Sequence, residues 1–387
     1  MSYKLLICLP SLHLVGGMEK VLTVKANYFA EVYGYDVTIV LTDGKDISPY
    51  FPLSNKVKIL HLDINFEKIR LYPIYFKIPI YLYKQYIYKR KLTKVLMSTR
   101  PDITISMLRR EVNFFADIND GSKKIGELQF NKLNYRDFNT KGEDAGIKGF
   151  FAKLWMNQLV TNLRKVDKFV VLSEEDKKNW TELNNVVVIH NPIECIPEES
   201  SNCTSKKVIA AGRFVSQKGF DMLLDSWKIV SERHPDWTLS IYGNGSKDSF
   251  KKQITDNGIE NSCFLYDAVL NINEKFIESS IFAFSSRFEG FGMVITEAMS
   301  CGIPPVAFAC PCGPKDIISD GVDGILVTPE NIDELAEKIC FLIENEDIRR
   351  EMGRRARIRA EQFRIEIIAK EWNTLFKNLL TNNSESF

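Results

Sequence analysis

The chain has 387 residues, 45% of them apolar and 26% charged, with a formal net charge of +1. That length allows two domains with cores of their own, the composition excludes a disordered chain, and the balanced charge gives no general attraction to nucleic acid. Eight cysteines and four scattered histidines show no metal-ligand spacing: Cys310 and Cys312 form the closest pair, with no second pair beside it. The cysteines read as buried, reduced thiols of a cytosolic protein.

In chain order, the opening MSYKLLICLPSLH is too short in its apolar part for a secretion signal, and no later run is long enough to span a bilayer. KLLICLP reads as a strand and SLHLVGG as a loop. The following stretch carries apolar residues at Val21, Val24, Tyr28 and Val32, the spacing of a helix packed on one face. DVTIVLTD and KVKILHLD are strand-like, which makes a parallel α/β unit. Residues 68–100 then hold nine Lys or Arg, six Tyr and no Asp or Glu. This segment has three readings: helix packed on the first domain with solvated lysines, a surface lying on anionic lipid, or a basic lip for a phosphorylated acceptor head group. PDITISML, SKKIGELQ, DKFVVLSE and NVVVIHNPIE continue the strands, and Asn191-Pro192 marks a turn near a boundary.

The pattern restarts near Lys206. KKVIAAGRF, WTLSIYGNG, SIFAFSS, PPVAFAC and GILVTP are strand candidates; QKGFDMLLDSWKIVSERHP and NIDELAEKICFLIENEDI are helical. The expected division is an N-terminal domain over 1–195, a C-terminal domain over 196–365, and a last helix over 366–387 that returns to the first domain. Ligands of open α/β sheets bind beyond the C-terminal ends of the strands. Two such domains facing each other would enclose a cleft able to close over substrate. Neither half carries a complete GxGxxG after a strand, which argues against a dehydrogenase.

Three places in the second half suit a phosphate and a sugar. Arg213 and Lys218, in GRFVSQKGFD, lie between a strand and a helix start, where free N–H groups already favour an anion. Gly243 and Gly245, in YGNG, let a ligand approach the backbone. Glu289 and Glu297, in EGFGMVITE, fall on a strand-end loop and about one turn into a helix beginning near Met293. Carboxylates there can hold hydroxyls while the N–H groups of Phe291, Gly292, Met293 and Val294 meet phosphate. The plain alternative is a set of solvated charges on loops.

These residues resemble the retaining nucleotide-sugar glycosyltransferases of family 4, within glycosyl transferases group 1. The two glutamates with seven residues between them match Glu289 and Glu297; the GR…KG signature matches Gly212, Arg213, Lys218 and Gly219; the GxG turn matches Gly243 and Gly245. The later loop matches GPKDIISDGVDG, and the N-terminal GG with an acidic residue matches Gly16, Gly17 and Glu19. The resemblance implies the GT-B fold, two Rossmann-like α/β domains facing across a cleft. It implies that Glu289 holds the donor sugar, Glu297 the ribose, Arg213 and Lys218 the diphosphate, and that Gly16 and Gly17 approach phosphate or acceptor. It further implies metal-independent transfer from a nucleotide sugar, UDP favoured, to a saccharide or lipid-linked saccharide in surface polysaccharide assembly, in the cytoplasm or at the cytoplasmic membrane face. One departure is the histidine that many members carry over the donor sugar: none lies between His61 and His190. Glu127, Gln129 or Asn131 can take its place. A sugar-nucleotide epimerase or hydrolase of the same build, or a non-catalytic sugar-nucleotide-binding protein, are the competing functions.

Overall fold

The computed structural model describes residues 2–137 and 147–381. It divides into two compact units: the first holds the chain up to Leu172, Asp176–Pro192 and the segment from Ile365 on, the second holds Ser173–Glu175 and Ile193–Arg364.

The first unit is built on seven strands: β1 (Lys4–Leu9), β2 (Asp36–Leu41), β3 (Lys58–His61), β4 (Ile103–Ser106), β5 (Lys123–Glu127), β6 (Lys168–Val171) and β7 (Val186–Val188). Their order is β3-β2-β1-β4-β5-β6-β7, with every pairing parallel. Leu5 of β1 stands between Val37 of β2 and Ile103 of β4. Strands covered on both faces lose the apolar–polar alternation of half-exposed ones. That is why β1 appears in the sequence as the unbroken apolar run LLICL, while its neighbour β4, ITIS, buries Thr104 and Ser106.

Helix α1 (Gly17–Glu31) follows β1 and lays Leu22, Ala26 and Phe29 on the sheet. The last helix, Ile365–Thr381, completes the same core with Ile368, Trp372 and Phe376, the Phe376 ring meeting that of Phe29 at 5.6 Å between centroids. Residues 382–387 of the expected C-terminal segment lie outside the described residues. Helix α2 (Ile74–Thr99) buries only Tyr88, Leu92 and Leu96, and Pro79 lies within its first two turns. No helix among the described residues is long and apolar enough to cross a membrane.

The second unit has six strands: β8 (Lys207–Ala211), β9 (Thr238–Tyr242), β10 (Cys263–Tyr266), β11 (Ile281–Phe284), β12 (Pro305–Phe308) and β13 (Ile325–Val327). Their order is β10-β9-β8-β11-β12-β13, again all parallel. β10 is absent from the sequence reading. It is a four-residue edge strand, CFLY, with Phe264 and Tyr266 exposed; its apolar run is short and stands alone between polar residues. The helix expected over 331–348 also stops early: it runs Ile332–Glu344, breaks at Asn345 and restarts as Glu346–Ala360. The buried Arg349 accounts for the break. Its guanidinium donates to the carbonyls of Leu342 and Ile343 at 2.6 and 3.0 Å, two of the acceptors that a helix C-terminus leaves open.

Trp372 is 1% exposed and at the centre of the first unit's core. Trp372→Ala is expected to destabilise that unit by about 3–5 kcal/mol, read from the urea unfolding midpoint. A loss below ~1 kcal/mol would mean that the last helix is dispensable to the core.

Candidate active site

In the second sheet β8 pairs with both β9 and β11, so the chain leaves β8 toward one edge and returns to its other side. Loops that diverge at such a reversal leave a crevice at the strand ends. The loops after β8 and β11 are drawn together there by specific contacts.

After β8 the chain passes Gly212 and Arg213, forms a short 3-10 turn at Ser216–Lys218, and enters the helix Phe220–Arg233 through Gly219. Gly219 has φ +61°, and a Cβ there would overlap the carbonyl oxygen of Ser285. Only glycine combines that conformation with that approach. The Ser285 hydroxyl donates to the Lys218 carbonyl at 2.9 Å. The Lys218 stem lies against Gly212, where a Cβ would stand 3.2 Å from Cδ, and its ammonium donates to Glu289 Oε1 at 2.7 Å. The side chains of Lys218 and Glu289 are 15% and 9% exposed. Glu289 is therefore no solvated loop charge.

Arg287 fixes the loop that carries Glu289. Its N–H donates to the Gln217 carbonyl at 2.8 Å, and Nη1 to the Ser216 carbonyl at 2.6 Å. Nη1 and Nη2 also grip the Asp221 carboxylate at 2.9 and 2.6 Å. Bidentate pairing of this kind adds direction as well as energy, and its hydrogen bonds hold the Asp221 carboxyl below the usual carboxylate range. Gln217 Nε2 returns a bond to the Phe288 carbonyl at 3.0 Å, and the Glu289 N–H donates to the Pro311 carbonyl at 3.2 Å. The loop after β12 nests closely too: Gly313 has φ +115°, and a Cβ there would overlap the Phe291 carbonyl.

Gly292 caps the helix Met293–Ser300. The first-turn N–H groups of Met293 and Val294 have no acceptor inside an α-helix. Glu297 sits in the second turn, half-buried. Gly243 backs onto Gly212 and Gly245 onto Phe214, with Phe214 N–H donating to the Asn244 carbonyl at 2.8 Å. The structure thus gathers Gly212, Lys218, Glu289 and the Gly243 turn. Arg213 stands exposed on the same loop and forms no ion pair among the described residues.

The first unit keeps its own polar group at the end of β5. Glu127 pairs with Lys25 of α1, both almost fully buried, and the Lys25 ammonium lies 4.5 Å from the Trp372 ring centroid. Burial pulls the Lys25 pKa down, while Glu127 opposes the shift. Gln129 Nε2 donates to Glu127 Oε1 at 2.7 Å and to Asn191 Oδ1 at 3.2 Å, and Asn191 Nδ2 returns a bond to Gln129 Oε1 at 2.8 Å. Asn131 is not in this network: its Oδ1 accepts the Asn134 N–H at 2.8 Å and supports the next turn. Gly16 caps α1, and the Glu19 carboxylate folds back against it; Gly17 is the exposed first helical residue.

Residues 194–359 match the glycosyl transferases group 1 family. The chain is 30% identical over 254 residues to an uncharacterized glycosyltransferase of Methanocaldococcus jannaschii, covering 62% of this chain and 67% of that one. The chain belongs to the glycosyl transferases group 1 family. This transferase is also 28% identical over 391 residues to the amylovoran biosynthesis glycosyltransferase AmsD of Erwinia amylovora, covering 96% of this chain and 99% of that one. Its fold is GT-B. A crystal structure of an S. aureus TarM mutant with fondaparinux, α-GlcNAc-glycerol and UDP superposes with a TM-score of 0.76 at 18% identity, covering 97% of the transferase and 99% of that chain.

Sequence reading overlooked Arg287, Asp221, Lys25 and Asn191. Arg287 stands two residues before Glu289, so its charge was visible, but Asp221 is 66 residues away. Lys25 was legible only as a lysine among the apolar positions of α1.

Removing one partner of a buried pair strands the other charge. Glu127→Ala is expected to destabilise the first unit by about 3–5 kcal/mol. Lys25→Met combined with Glu127→Leu should restore most of that loss in urea titrations. Equal losses in the single and double variants would show that the pair is not the source.

Proposed function

We propose that the transferase moves a hexosyl group from a UDP-sugar to a saccharide or lipid-linked saccharide, with retention of anomeric configuration and without a metal ion. The work belongs to surface polysaccharide or glycoconjugate assembly and is done in the cytoplasm, at the membrane face. The observation that carries this reading is the Lys218–Glu289 pair at the crossing of β8 and β11, beside the helix start at Met293.

In this reading Lys218 and Arg213 hold the diphosphate, and the N–H groups from Phe291 to Val294 complete its cradle. Glu289 accepts from hydroxyls of the donor sugar and Glu297 from the ribose. Gly212, Gly243 and Gly245 let the loops that carry the clamp pack closely against one another, and Gly16 and Gly17 are the glycines that the family resemblance assigns to phosphate or acceptor. Glu127, Gln129 or Asn131 takes the role that a histidine has in many family members, as a sugar or acceptor contact. The acceptor hydroxyl oxygen bonds to the anomeric carbon while the carbon–oxygen bond to phosphate breaks. The electron pair of that bond stays on the departing phosphate, which takes the acceptor's proton, so the products are the glycoside and UDP. Attack on the face the phosphate leaves gives retention. Preorganised cations at the developing charge are the principal source of rate. The presence of UDP in the TarM complex and the role in AmsD's name support the donor and the pathway class.

Two measurements test this. Glu289→Gln is expected to lower kcat about 100-fold or more and leave the affinity for free UDP nearly unchanged, since UDP carries no sugar. Glu297→Gln should weaken UDP and UDP-sugar by a similar factor, with kcat largely recovered at saturating donor. Equal weakening of free UDP by both variants would overturn the division of roles, and donor binding without transfer to any acceptor would favour a non-catalytic binding protein. Activity is also expected to survive excess EDTA; loss restored by Mg²⁺ or Mn²⁺ would remove the metal-free account.

A further inference from the structure

The outward face of α2 is apolar where a solvated helix should be polar. Successive helical residues are turned by 100°, so Tyr81, Gln85, Tyr88, Leu92 and Leu96 form one stripe. Of these, Tyr88, Leu92 and Leu96 are fully buried, against Leu6, Val40, Phe66 and Phe114. The rest of the helix surface is apolar too: Phe76, Tyr83 and Tyr86 lie opposite the stripe and Tyr75 and Leu82 on its flank, 54%, 65%, 57%, 73% and 61% exposed, and the first turns expose Ile74 and Ile78 as well. Toward the C-terminus come the exposed Arg90 and Lys94 opposite the stripe, and the exposed Lys89 at its edge.

A helix apolar on two sides needs a second partner. Its charge says which kind. From Lys68 to Arg100 there is no acidic residue. Lys84 and Lys91 are already used, donating to the carbonyls of Ile64, Asn65 and Leu62. Lys89, Arg90 and Lys94 have no carboxylate partner among the described residues; Arg90 reaches the Tyr86 hydroxyl at 3.4 Å and lies 5.7 Å from that ring's centroid. The face thus joins an aromatic–aliphatic half to a cationic half over some 30 Å of helix. Tyrosine bodies with polar tips and lysines with long stems suit the boundary between lipid headgroups and acyl chains.

We propose that this face of α2 docks on an anionic lipid bilayer, Tyr75, Phe76, Leu82, Tyr83 and Tyr86 entering the headgroup boundary and Lys89, Arg90 and Lys94 meeting the lipid charge. The core-facing stripe keeps the helix folded before it meets the membrane. The docking rests on the membrane-side location proposed above and is independent of the transfer chemistry.

The test uses the full chain in flotation with vesicles of phosphatidylcholine alone or with one third phosphatidylglycerol. Binding is expected to the anionic vesicles only, and to fall as salt rises. Lys89→Gln, Arg90→Gln and Lys94→Gln together should weaken it about 100-fold. Tyr75→Ser, Leu82→Ser and Tyr86→Ser together should weaken it at least about 10-fold. Both triple variants should keep the melting temperature and the UDP affinity of the parent chain. Equal binding to neutral vesicles, no binding to either, or self-association abolished by the apolar triple variant would each overturn the proposal, the last by assigning the face to a second copy. A chain that floats with vesicles but binds no UDP would leave the docking standing and remove the transfer reading.

Discussion

The site of the second unit depends on the parallel pairing of β8 with β11, which sets Val208 beside Ile281 and Ile209 beside Phe282. Strands 70 or more residues apart in sequence end side by side because of it, and the two loops they release meet. Lys218 comes from one loop and Glu289 from the other. A nearly buried ion pair returns little net stability, because desolvation offsets most of the attraction. Its value here is positional. The carboxylate and the ammonium define each other's place, and the backbone contacts of Gly219, Arg287 and Gln217 define the place of both.

That arrangement also limits what an arriving anion feels. The Lys218 ammonium is already balanced by Glu289, so a diphosphate cannot draw on its full charge without sharing it. The exposed guanidinium of Arg213 and the N–H groups at the start of the helix Met293–Ser300 carry no such balance in the geometry described. Under the proposed donor reading, long-range attraction would begin with them and Lys218 would act at contact distance, where its orientation matters more than its charge.

The sequence disclosed much of the fold because most strands are covered on both faces. LLICL and IFAF hold no polar position, and DVTIVL only Thr38 within its buried part. The edge strand at Cys263–Tyr266 was lost because its apolar run is only four residues long, and Asn345 was lost because a helix break made by a buried arginine has no local signature. At the site, residue type and loop position were legible for Arg213, Lys218, Glu289 and Glu297, since glycines and charges bracket the turns. Burial and partners were not. Nothing near Glu289 announces that Lys218 neutralises it, and nothing near Glu127 points to Lys25, 102 residues earlier. Pairings of that span are set by topology alone.

The last helix belongs to the first unit, while the second unit is almost wholly one uninterrupted stretch, Ile193–Arg364. The ends of that stretch are bonded to each other: the Ile193 N–H donates to the Phe363 carbonyl at 2.8 Å, and Ile193 bridges Arg364. The second unit is thus an insertion into the first, closed at its own neck. On the ribosome the order of synthesis and the order of completion must differ. The first unit's core lacks Ile368, Trp372 and Phe376 until the whole second unit has been made, on the order of ten seconds or more after Pro192. The first unit closes after the second, and during that interval its half-covered sheet is the surface that a chaperone would find.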